Sequence, residues 1–154
     1  MHTGMSRKID YELLAYAIIA LLAGLAYYWA TRPSDSALFL SLLPAFPPEI
    51  SLSFLTRWSG WLPTFLHVFA FALLTCLALG RRHLVFACVL WGVINALFEL
   101  GQALPAETLE NMPDLFNLRT YLSQGVFDPL DLVACGMGAW AAWILIRSGE
   151  SHEN

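Results

Sequence analysis

Four stretches of the chain are apolar for long enough to cross a membrane as helices, and polar or proline-bearing sequence separates them. The first, 11–30, carries no charge after Glu12. About 20 helical residues at 1.5 Å each match roughly 30 Å of hydrocarbon. Tyr27, Tyr28 and Trp29 close it as an interfacial aromatic belt. The second, 62–80, has His67 as its only strongly polar side chain, and Arg81-Arg82 make a tight turn into the third, 83–104. Pro105 ends the third; Asp128-Pro129-Leu130-Asp131 opens the last, 130–147, which stops at Arg147. The pattern predicts an all-α, polytopic membrane protein with one transmembrane domain over 11–147 and polar tails at 1–10 and 148–154.

Two connecting regions are distinctive. In 36–61, the apolar run Ala37–Phe46 is too short to span, and Pro44, Pro47 and Pro48 interrupt any long helix. A short interfacial or re-entrant segment after the first span is the expectation, with Trp58 and Trp61 at the interface. Residues 106–127 are polar with a modest helical pattern, Leu115, Leu118 and Leu122 on one side and Gly125 as a stop.

Composition agrees with the pattern. Of 154 residues, 58% are hydrophobic and 13% charged, against about 25% charged in soluble domains; the mean hydropathy is +0.59. Lysine and arginine are few and scattered, which argues against a nucleic-acid surface. Cys76, Cys88 and Cys135 all lie in apolar runs, without CxxC or His-rich spacing, and read as packing residues or free thiols. Arg7 and Lys8 before an apolar run resemble a signal peptide, but the run is too long and ends in bulky Tyr27-Tyr28-Trp29; an uncleaved first span is expected. With both ends cytoplasmic, Arg7, Lys8, Arg81, Arg82 and Arg147 fall inside and Arg32, Arg57 and Arg119 outside, the pair in the short 81–82 turn weighing most.

Ionisable side chains inside spans are costly and face protein or water. His67 lies 14 residues before Arg81, Glu99 17 after Arg82 and Asp131 16 before Arg147, or about 21, 25 and 24 Å along their helices from those basic residues. Asn95, Glu99 and Gln102 share one helix face, with Cys88 and Gly92 extending it as small residues. Below Asp131, Ala134, Cys135, Gly138 and Ala142 form a small-residue stripe suited to close helix approach. The common depth suggests an outward-facing polar pocket of His67, Glu99, Gln102, Asp128 and Asp131, with Gly92, Asn95, Ala134, Gly138 and Ala142 packing helices. Plainer roles stand beside this one. His67 and Asn95 suit interhelical hydrogen bonds, Glu99 a pairing with His67 or Gln102, and Asp128 the capping of the last helix ahead of Pro129.

The same residues carry a resemblance to VanZ-like membrane proteins over roughly 60–147. The matching pieces are Leu66-His67-Val68-Phe69-Ala70-Phe71, Glu99-Leu100-Gly101-Gln102, and Asp128-Pro129-Leu130-Asp131 with Gly138. Pro63-Thr64, Phe71 and Cys135 stand where that family often has Asp-Lys, Tyr and Asn, so the chain resembles a divergent member. The resemblance implies a cell-membrane address and an envelope role, in a family named for glycopeptide (teicoplanin) resistance and without an established reaction.

GxSxG, HExxH, P-loop and dinucleotide motifs are all missing. The expectation is therefore an envelope factor that binds a lipid head group or a lipid-linked precursor, with membrane lipid as partner and no cofactor assigned. An alternative is an enzyme acting on a lipid-linked or phosphorylated substrate. There Glu99 or Asp131 would be the base, or His67, Glu99 and Asp131 would hold a divalent cation. A third reading is an assembly subunit docking a partner through its Gly/Ala stripe.

Overall fold

The computed structural model describes residues 10–31, 59–114 and 118–150, apart from the side chains of residues 124, 149 and 150. The interfacial or re-entrant segment expected within 36–61 falls almost wholly outside these residues, as does Leu115. Helix α1 is Tyr11–Thr31, α2 Leu62–Leu79, α3 Leu84–Gln102, α4 Ala106–Glu110, α5 Leu118–Gln124 and α6 Pro129–Glu150, with a 3₁₀ turn at Arg81–His83. Among the described residues the fold is all-helical, and α1, α2, α6 and the Arg81–Gln102 unit are long and apolar enough to cross a membrane. This is a membrane protein by architecture.

The helices are inside-out relative to a soluble bundle. Ala17, Ala70, Ala72, Ala87 and Ala142 are fully buried, while Ile18, Ile19, Leu22, Val85, Val89, Leu97, Val133 and Trp140 are exposed. Small inner residues let backbones approach, and large outer ones meet lipid. Helix α2 sits centrally, packed on α1, α3 and α6, and α3 also packs on α6. Gly138 shows how close α6 comes: a Cβ there would sit 2.6 Å from the Phe65 carbonyl oxygen and 3.1 Å from Val68 Cβ.

The bundle has two unlike ends. The main core joins Leu13 and Ala17 of α1, Leu73 and Cys76 of α2, Ala87 and Cys88 of α3, and Ala142 and Ile146 of α6, all at the Arg81 end. There Gly80, at φ 98°, turns the chain sharply while its N–H donates to Cys76 O at 2.8 Å; a side chain would be strained in that conformation. Asp10 accepts from the Leu13 N–H at 3.1 Å, which caps α1, and pairs with Arg81. Arg81 thus does more than mark topology: it ties the start of α1 to the α2–α3 turn.

Burial opposes the charge on Asp10, but hydrogen bonds from Arg81 and the Leu13 N–H outweigh it and hold the carboxyl below its ordinary 3.8. A depressed carboxylate stabilises the fold above the unfolded-state value, and the contribution is lost as pH falls through the folded-state value. Asp10→Asn is expected to lower stability in detergent by up to about 1 kcal/mol at neutral pH. The difference from the parent should fade below pH 3.8, read by thermal unfolding across a pH series.

At the other end Ser59 Oγ donates to the Tyr27 hydroxyl at 3.2 Å, joining the end of α1 to the approach to α2. This end carries Glu99, Asp128 and Asp131 and two cavities.

Candidate functional site at the polar end of the bundle

Asp128 begins α6 as its chemistry dictates: its Oδ1 accepts the Leu130 N–H at 2.9 Å, Pro129 takes the first helical position, and Asp131 N–H donates to Asp128 O at 2.9 Å. A second cap comes from another helix. Glu99, only 5% exposed in the last turn of α3, accepts the Asp128 N–H on Oε1 at 2.6 Å. Asp128 and Asp131 are close enough to act on Glu99 electrostatically, and Cys135 feels both Glu99 and Asp131. Asp131 Oδ1 is enclosed. Three carboxylates therefore gather at one helix N-terminus, where the unpaired amides and the helix dipole favour negative charge. The hydrogen-bond partner of Glu99 is this amide, and neither His67 nor Gln102 takes that place.

Gln102 lies one turn beyond Glu99 and borders a different space. Its amide fills the position a Cβ on Gly125 would need. Beside it, Leu122, 5% exposed, covers Gly101, where a Cβ would stand 2.8 Å from Leu122 Cδ2. These two contacts dock α5 on the end of α3. Between α3, α4 and α5 they border an open cavity of about 410 Å³ whose polar lining is Gln102, Glu110, Arg119, Thr120 and Ser123, over Leu109 and Leu122. Asp114 orders this wall: it accepts the Thr120 hydroxyl at 2.9 Å and lies 3.8 Å from Arg119. The Thr120 hydroxyl foremost, with Arg119 behind it, holds the Asp114 carboxyl below its ordinary value.

His67 takes part in neither group. It lines a groove of about 350 Å³ with Phe71, Trp91, Asn95, Phe98 and Tyr121. Its ring meets Phe71 at 6.0 Å and Tyr28 at 6.4 Å, and Phe71 stacks on Trp91 at 4.6 Å. Trp91 Nε1 donates to Thr75 Oγ1 at 2.8 Å. Asn95 Nδ2 donates to the Trp91 carbonyl at 2.9 Å, within its own helix and not across helices. The two sides of α3 explain the split. Glu99 and Gly92 turn toward α6, with Gly92 3.9 Å from Ala139 by its would-be Cβ, while Trp91, Asn95 and Phe98 turn toward the groove.

Glu99, Asp128 and Asp131 thus come together, Gln102 borders the neighbouring cavity, and His67 joins Asn95. Ala134, Gly138 and Ala142 are buried along α6, whose approach to α2 they allow. Among the described residues no three His, Cys, Asp or Glu side chains are grouped to hold a metal ion, the set His67, Glu99 and Asp131 included. Sequence reasoning missed Arg119, Thr120 and Ser123. Their signal was available in Leu118-Arg119-Thr120-Tyr121-Leu122-Ser123, where the leucines take one helix side and the polar groups the other. Comparison with known proteins finds no matching family, no similar curated protein and no similar solved structure.

Proposed function

We propose that this chain is a multi-pass protein of the cell membrane, of the VanZ-like type, that serves the envelope by holding the polar head of a membrane lipid or lipid-linked precursor. The observation that carries the reading is the cavity of about 410 Å³ at the polar end of the bundle. Hydrogen-bonding and charged groups converge there directly above helices whose outer faces are apolar, which suits an amphiphile. The basic residues Arg81, Arg82 and Arg147 belong to the opposite end, and Arg7 and Lys8 precede α1 in the sequence, so by the positive-inside rule both termini are cytoplasmic and the cavity opens outward. The carboxylates around Asp128 act structurally in this reading, anchoring α6 to α3 so that α5 borders the cavity.

Mass spectrometry of lipid retained by the purified protein tests it. The parent chain is expected to keep bound lipid, and Arg119→Ala to lose most of it, since a charge-assisted contact to a head group is among the stronger polar interactions. Arg82→Ala, at the far end, should retain lipid normally. Equal retention by all three would remove the reading.

A further inference from the structure

The cavity and the His67 groove adjoin. On α3, Phe98 lines the groove and Gln102, one turn on, lines the cavity; on α5, Tyr121 lines the groove while its neighbours Thr120 and Leu122 line the cavity. Phe98 and Tyr121 meet edge to face at 5.7 Å along this border. The polar pair inside the groove, His67 and Asn95, lies deeper: Asn95 is seven residues below Gln102, or about 10 Å along the helix. Together the two spaces have a charged mouth, a polar step beneath it and an aromatic wall facing the membrane interior.

The charges at the mouth are of both signs. Arg119 comes from α5 and Glu110 from α4. The ion pair of Arg119 is with Asp114, not with Glu110, and Glu110 makes no ion pair among the described residues. A dianionic phosphomonoester would meet one guanidinium, already shared, and an opposing carboxylate. A singly charged phosphodiester bearing a cation meets both. The cation is also defined by what lines the space. Quaternary ammonium groups are recognised by aromatic cages, and among the described residues the cavity lining contains no aromatic ring. It offers instead the Glu110 carboxylate and the Gln102, Thr120 and Ser123 oxygens, which suit the three N–H donors of a primary ammonium.

Resting on the lipid-head reading above, the geometry points to a zwitterionic aminophospholipid of the phosphatidylethanolamine class. Its phosphate lies at Arg119, its ammonium at Glu110, and one acyl chain leaves past Phe98 and Tyr121 into the groove. His67 supplies a ring nitrogen at the depth of the ester carbonyls. Its ring meets Tyr28 and Phe71, and among the described residues it makes no hydrogen bond or ion pair. Asn95 brings a second amide N–H, one being spent on the Trp91 carbonyl. Trp91 and Phe71 form the wall along which the chain runs.

The test uses the full chain in detergent, titrated separately with phosphatidylethanolamine, phosphatidylcholine, phosphatidylglycerol and a polyprenyl phosphate, with native mass spectrometry as the readout. Phosphatidylethanolamine should bind one per chain with about tenfold preference, the size of one charge-assisted hydrogen bond. Glu110→Gln, on an exposed residue and so harmless to folding, should erase that preference; Arg119→Gln should weaken all the phosphodiesters. Phosphatidylethanolamine with a brominated chain should quench a fluorescence component that Trp91→Phe removes. Equal binding of the three phospholipids, unaltered by Glu110→Gln but still weakened by Arg119→Gln, overturns the aminophospholipid and leaves the head-group reading standing. Preference for the polyprenyl phosphate does the same. Absence of quenching at Trp91 overturns the path of the chain. Binding of none of the four lipids overturns this inference together with the reading beneath it.

Discussion

Gly138→Ala is expected to destabilise the bundle by about 1–3 kcal/mol, as overpacking does where neighbours cannot yield, and Gly138→Leu to prevent its assembly. The neighbour is the Phe65 carbonyl oxygen, 2.6 Å from the would-be Cβ, with the Phe69 nitrogen at 3.3 Å. Both are backbone of α2, so relief requires α6 to move off the helix that also holds α1 and α3. Gly136, two residues away, provides the matched control because a Cβ there meets nothing within 4 Å. Gly136→Ala should be neutral or stabilising by up to about 1 kcal/mol, the ordinary gain of alanine over glycine in a helix. Thermal unfolding of the pair in the same detergent decides the matter. Equal effects at 136 and 138 would show that helix propensity, not contact, governs α6.

Glu99→Ala is expected to cost about 2 kcal/mol, the range for losing a hydrogen bond to a charged group and leaving its half-buried partner unsatisfied. The orphan would be the Asp128 N–H, now 2.6 Å from Glu99 Oε1. Glu99→Gln keeps an acceptor oxygen and removes a charge that faces Asp128 and Asp131, so its cost should be much smaller. Amide exchange at Asp128 gives a local readout: protection should vanish in Glu99→Ala and persist in Glu99→Gln. Unchanged protection in Glu99→Ala would mean that the carboxylate does not cap α6.

The four spans were legible because their cause is local. An uninterrupted apolar run must satisfy its own backbone in lipid, and a helix does that within one segment. The expected spans 11–30, 62–80, 83–104 and 130–147 meet helices Tyr11–Thr31, Leu62–Leu79, Leu84–Gln102 and Pro129–Glu150. Asp128 was legible for the same reason, since a cap acts on amides two residues away. The partner of Glu99 was not. Spacing located its height on α3 but not its direction, and the Asp128 amide that it meets lies 29 residues along the chain. His67 shows the same limit: its height resembles that of Glu99, yet the two point to different sides of α3.

What the chain determined by itself is therefore whatever depends on neighbours within a turn or two: four apolar rods, a tight turn at Arg81-Arg82, a capped start to α6 and a stripe narrow enough for close approach. The tertiary structure alone decided which polar groups meet. It gathered Glu99 with Asp128 and Asp131, set His67 beside Asn95, and brought Glu110, Arg119 and Gln102 around one cavity from three helices. The physical reason is rotational. Residue spacing sets distance along a helix, whereas the bearing of each side chain depends on how neighbouring helices are turned, and packing of small residues such as Gly138 against Phe65 fixes that turn.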